Sequence, residues 1–120
     1  MANLSEEQVM LRDMAQSWTR NESPVNAWRK VRDANEAAGY DAAVYANMAE
    51  MGWTGVIIPE AHGGSDFGWM SLGLVVQEIS RTLTASPLSS SAIAASAIIL
   101  GGSEAQKANW LPGNASGEVA

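Results

Sequence analysis

Ser86-Pro-Leu-Ser-Ser-Ser-Ala-Ile-Ala-Ala-Ser-Ala-Ile-Ile-Leu-Gly-Gly102 is the stretch on which the fold turns. Proline can open a helix, because its missing N–H is one the first turn leaves unpaired and its fixed φ suits the helix. The body from Leu88 to Leu100 is apolar or small on every side, the pattern of a buried helix. Gly101-Gly102 ends it. Its longest apolar run, Ala92 to Leu100, is interrupted by Ser96 and falls far short of the roughly 20 residues that span a bilayer. Such a helix has to be covered by other elements, and the flanking sequence supplies them.

Upstream, Trp69, Leu72, Val76, Ile79 and Leu83 keep the helical period from about Gly68 to Leu83. Downstream, Ser103 and Gln106 stand at capping-box spacing, predicting a last helix from Glu104 until Pro112 breaks it. Further back, Gly55-Val-Ile-Ile-Pro59 is β-branched and stopped by proline, which predicts a brief extended piece leading into a turn through His62-Gly63-Gly64. Asp41 caps a helix carrying Val44, Tyr45, Met48 and Met51; a left-handed Gly52 ends it and lets Trp53 fold back onto Met48. Ser23-Pro24 opens a segment with a ragged stripe of Val25, Trp28, Val31 and Arg32. At the start, Ser5 and Gln8 form a capping box under a Leu4–Val9 staple, and Leu11, Met14, Ala15 and Trp18 mark one face of a helix over residues 6–20. The sum is a single all-α domain over residues 1–120, a bundle of about five or six helices with no repeat and no internal linker.

The composition narrows the function. With no cysteine, one histidine and a net charge of −6, disulfide scaffolds and cysteine-ligated metals are excluded. An acidic chain with no Lys/Arg cluster makes nucleic acid a poor partner. Nothing in Met1-Ala-Asn-Leu-Ser-Glu-Glu reads as a targeting signal, and no transmembrane segment is expected, so the expected location is cytoplasmic.

No catalytic constellation is complete. His62 neighbours Glu60, Ser65 and Asp66, yet residues so close in one Gly-rich loop rarely converge as a triad, and Phe67 stands where a nucleophile elbow needs its second glycine. A di-iron bundle site would need Glu-x-x-His pairs, and there are none. The loop Gly63-Gly64-Ser65-Asp66-Phe67-Gly68 lacks the preceding strand and following Gly-Lys-Ser/Thr of a phosphate loop, so it reads as a tight turn. Asn114-Ala-Ser116 matches a glycosylation acceptor by chance in a chain without a signal. Most of Trp18, Trp28, Trp53, Trp69 and Trp110 fall at helix stripes or caps and are expected in the core.

Two stretches resemble the N-terminal helical domain of acyl-CoA dehydrogenases. One is Met51-Gly-Trp-Thr-Gly-Val-Ile-Ile-Pro-Glu-Ala-His-Gly-Gly64; the other runs through Gly102-Ser-Glu-Ala-Gln-Lys107, Trp110-Leu-Pro112 and Ala115-Ser-Gly-Glu118. Leu4-Ser-Glu-Glu-Gln8 and Val76-Gln-Glu-Ile79 also fit, so the resemblance covers essentially the whole chain. It implies an FAD-dependent oxidoreductase of fatty acid metabolism, with a middle β domain and a C-terminal helical bundle beyond this fragment. In that family a glutamate, usually from the C-terminal bundle, removes the α-proton of the acyl-CoA thioester while the β-hydrogen passes as hydride to the flavin. No catalytic base and no flavin-binding residue carries over to this chain, so no FAD is expected to stay on it alone. The resemblance implies acyl-CoA as substrate, electron-transfer flavoprotein as partner and a homo-oligomer at full length. An acyl-CoA oxidase or flavin monooxygenase relative is an equally open member of the family. The helix opening at Ser86-Pro87 occupies the place of the family helix that lines the acyl cavity, which makes Leu88, Ser89, Ser90 and Ile93 the candidate wall; the alternative for these residues is packing against neighbouring helices alone. His62 stands where many relatives have tyrosine and receives no role. The competing reading is a standalone, non-catalytic helical interaction module derived from that domain.

Overall fold

A computed structural model of the chain describes residues 3–120; Met1 and Ala2, read above as part of a segment without a targeting signal, lie outside them. Among the described residues there are six α-helices and two short 3-10 turns, with no strand: α1 (Glu6–Glu22), α2 (Val25–Ala34), α3 (Ala42–Glu50), α4 (Gly68–Arg81), α5 (Leu88–Gly101) and α6 (Glu104–Ser116). Both predicted capping boxes form. Ser5 and Ser103 accept from the N–H groups of Gln8 and Gln106, whose side chains accept from the cap N–H in return. Asp41 caps α3 by accepting from Ala43 N–H at 2.8 Å, and Gly52 takes φ 82° at its end.

α1 and α4 form the principal helix pair. They run side by side in the same direction, with Ser5, Gln8 and Leu11 meeting Phe67 and Ser71 at one end. Beyond the other end the Ser23 and Thr84 hydroxyls are 2.8 Å apart. The core collects Ala15 and Trp18 of α1, Tyr45 and Met48 of α3, Leu72, Val75 and Ile79 of α4, Leu88, Ala92 and Ala95 of α5, and Leu111 of α6. Trp18 stands edge-on to Trp53 with ring centroids 5.0 Å apart, and its indole N–H donates to Asn47.

Four expectations are corrected. Gly55–Pro59 is not extended: it follows a 3-10 turn, with Val56 in the helical region at φ −57°, ψ −39°. Val56, Ile57 and Ile58 are all buried. The carbonyls of Gly55, Val56 and Ile58 accept from Ser65, Phe67 and Asp66 N–H at 2.9, 2.7 and 3.1 Å. The returning loop thus satisfies this backbone without a sheet. Pro112 does not end α6, which continues to Ser116 and closes on a left-handed Gly117 at φ 78°. Proline removes one donor from the ladder, but Leu111 is fully buried and Thr54 Oγ1 donates to Ala115 O at 2.6 Å, so tertiary contacts hold the last turn. Pro24 and Pro87 sit just ahead of their helices instead of at the first helical position. Of the tryptophans only Trp18 and Trp53 are core; Trp28 is half-buried, while Trp69 and Trp110 are 57% and 50% exposed.

Candidate functional site: the outer face of α5

α5 divides lengthwise. Leu88, Ser91, Ala92 and Ala95 face the core, and Ser89, Ser90, Ile93, Ala94, Ala97 and Leu100 face out. Successive members of each set are separated by helical spacings, so one sequence builds two stripes with different duties. The inner stripe fixes the helix: Leu88 is 1% exposed, and Tyr45 Oη donates to the buried Ser91 Oγ at 3.4 Å. At the N-terminal end, Ser86 Oγ accepts from Leu88 N–H at 3.4 Å, and Ser90 Oγ donates to Pro87 O at 2.9 Å.

Of the four residues proposed for the wall, Leu88 therefore lies in the core, and Ser89, Ser90 and Ile93 lie together on the outer face. Ile93 and Leu100 are 67% and 87% exposed. Large apolar side chains left that open are costly unless something covers them. The face continues past the helix end into a shallow cleft of about 360 Å³ lined by Ala97, Ile98, Gly101, Gly102, Gln106 and Trp110. The candidate wall ends at Ile93, while the repeat 89, 93, 97, 100 in the sequence carries the stripe onward. No charged residue occurs between Arg81 and Glu104, so this face offers van der Waals contact and serine hydroxyls and no acid, base or ion-pairing group.

Gly63 takes φ 89° and Gly64 is pressed against the backbone, so that a Cβ on Gly64 would stand 1.9 Å from Ile58 O. The Pro59-Glu-Ala-His-Gly-Gly64 motif is thus a packed turn, with His62 partly exposed at its side. Among the described residues no group of three or more His, Cys, Asp or Glu could hold a metal ion. No Lys or Arg occurs between Arg32 and Arg81 to meet a pyrophosphate beside the Gly-Gly turn, and that turn is filled by its own backbone. The one buried carboxylate, Glu78 at 3% exposure, lies 3.1 Å from Arg81 Nε. That contact lacks hydrogen-bond geometry. The Val76–Ile79 resemblance included Glu78 without revealing that α4 turns it inward.

The family model described as "Acyl-CoA dehydrogenase, N-terminal domain" matches residues 5–118. The chain is similar to (2S)-methylsuccinyl-CoA dehydrogenase of Cereibacter sphaeroides, 46% identical over 74 residues, covering 60% of this chain and 14% of that protein. It is 32% identical to Acyl-CoA dehydrogenase FadE12 of Mycobacterium tuberculosis over 117 residues, 96% of this chain and 29% of that one. Among solved structures, the Tcur3481-Tcur3483 steroid ACAD variant superposes with a TM-score of 0.84 at 28% identity, over 93% of this chain and 30% of that one. The chain spans less than a third of each of these proteins. No helix among the described residues is long and apolar enough to cross a membrane.

Proposed function

The chain belongs to the acyl-CoA dehydrogenase family, as its N-terminal domain, and from that premise we propose that the outer face of α5 forms part of the acyl-binding wall of an FAD-dependent dehydrogenase. The observation that carries this reading is the neutral, small-residue stripe of Ser89, Ser90 and Ile93, held outward by a helix whose other side is locked in the core. An acyl chain needs apolar contact and room; two serines and one isoleucine supply both. Leu88 supports the wall from beneath. The reaction is α,β-dehydrogenation of an acyl-CoA thioester, with electrons passed to electron-transfer flavoprotein by a homo-oligomeric enzyme. The base and the flavin contacts come from outside these residues, so this chain's part is to shape the cavity and pack against the rest of the enzyme. The 120 residues alone are not expected to retain FAD or to turn over substrate.

The test is made in an enzyme that carries this domain. Ser89→Phe and Ser90→Phe, set against Ser91→Ala as a core-facing control, are compared by kcat/KM across acyl-CoAs of increasing length. Longer substrates should lose roughly tenfold or more relative to short ones in the Phe variants. An unchanged length profile overturns the wall assignment. Stoichiometric yellow flavin on the isolated chain, with turnover, overturns the division of labour.

A further inference from the structure

α2 stands apart from the rest of the fold. None of its residues is buried, and it makes at most glancing contact with the other elements. Its inner side, Ala27, Trp28 and Val31, rests over a cleft of about 30 Å³ shared with Val44, Thr84 and Ala85. The outer side carries Arg29, Lys30 and Arg32 in exposed positions, with the acid Asp33 among them, so the face is net positive by two charges. Three of the chain's seven basic residues thus lie in one ten-residue helix of a protein whose net charge is −6, which corrects the expectation that the chain has no Lys/Arg cluster. Only Arg32 of the three is engaged internally. Arg32 pairs only with its exposed neighbour Asp33 at 2.8 Å while stacking 5.0 Å above Trp28, and Arg29 and Lys30 enter no ion pair among the described residues.

We propose that the outer face of α2 is a docking site for an acidic segment of a partner protein. Arg29, Lys30 and Arg32 fan over the solvent side of the helix, and such a group suits carboxylates, which arginine can hold bidentately. A lipid surface fits less well. An interfacial helix must offer its apolar face to the bilayer, whereas Ala27, Trp28 and Val31 are turned toward Val44 and Thr84. The broad negative charge of the remaining chain would also be carried against an anionic plane, while a narrow acidic segment can lie on α2 alone. Nucleic acid fits less well again, since three charges neutralise few phosphates and Trp28, half-buried under Arg32, presents no open ring for stacking a base.

The experiment is an amide-resolved NMR titration of the 120-residue chain with a synthetic oligoglutamate peptide. Parallel titrations use phosphatidylcholine vesicles containing phosphatidylserine, and the chain alone at rising concentration. Shifts should cluster in Val25–Ala34, vanish in high salt, and weaken roughly tenfold or more in R29Q/K30Q/R32Q, which keeps helix propensity. Circular dichroism confirms that the variant is folded; should it not be, R29Q and K30Q are titrated singly and each must weaken binding. The proposal is overturned if the peptide leaves α2 unmoved or binds the variant as tightly as the parent. It is equally overturned if α2 responds to the vesicles or to a second copy of the chain while ignoring the peptide.

Discussion

Gly64 shows how little room one residue can leave. Its missing Cβ lets the turn after Pro59 lie on the carbonyl of Ile58, and alanine would place carbon 1.9 Å from that oxygen. Because the obstacle is backbone, no rotamer change relieves it, and Gly64→Ala should lower the unfolding midpoint sharply or abolish folding. Gly73 is the matched control: it lies inside α4 at an ordinary φ with nothing within 4 Å, so Gly73→Ala should stabilise by about 0.5–1 kcal/mol in denaturant titration. A second residue-scale effect lies at the start of α1. A hydrogen bond from its own backbone N–H, followed by one from the Ser5 hydroxyl, holds the Glu7 carboxyl below its ordinary range. Since the folded pKa is the lower one, this contribution is complete above the unfolded pKa and disappears as pH falls through the folded value. Glu7→Gln should therefore flatten the acid limb of the melting temperature against pH while leaving the neutral limb parallel to that of the parent.

At the scale of elements, α6 shows where local rules yield to packing. A proline eight residues beyond the first helical residue, Glu104, predicts a stop, yet the helix runs on because Leu111 is sealed in the core and Thr54 grips Ala115. Pro112→Ala restores a donor for Ala108 O and removes the ring from that carbonyl. It should raise the free energy of unfolding by up to ~3 kcal/mol, the helix-interior proline penalty; no gain would mean that the surrounding contacts have already absorbed the cost. The same contrast explains what was legible beforehand. Caps at Ser5, Asp41 and Ser103 were readable because a cap is a local bargain between neighbours in sequence. The tight turns through Gly55–Pro59 were not, since β-branched residues signal extension and the partners of their carbonyls, Ser65 to Phe67, lie a loop away. At the candidate site, the neutrality and small side chains of α5 were plain in the sequence. Which of Leu88 and Ser89 faces inward depended on Tyr45 and Ser91 meeting across two helices.

For the whole molecule, the uncovered surface is the main fact. Ile93, Leu100 and Trp110 remain 67%, 87% and 50% exposed, and no element among the described residues lies over them. The isolated domain should therefore self-associate and bind hydrophobic dyes. Leu100→Ser should reduce both in sedimentation velocity and dye titration without lowering the melting temperature, because Leu100 contributes almost no burial; undiminished association would move the sticky surface elsewhere. The Gly63-Gly64 turn carries a different lesson. It is among the most recognisable words in this sequence, and it is shaped by the fit of one stretch of main chain on another. A descendant stripped of flavin, base and substrate would still have to spell it the same way to stand up. Finding that word in a genome counts inherited scaffolds, and a tally of reactions has to be made from other residues.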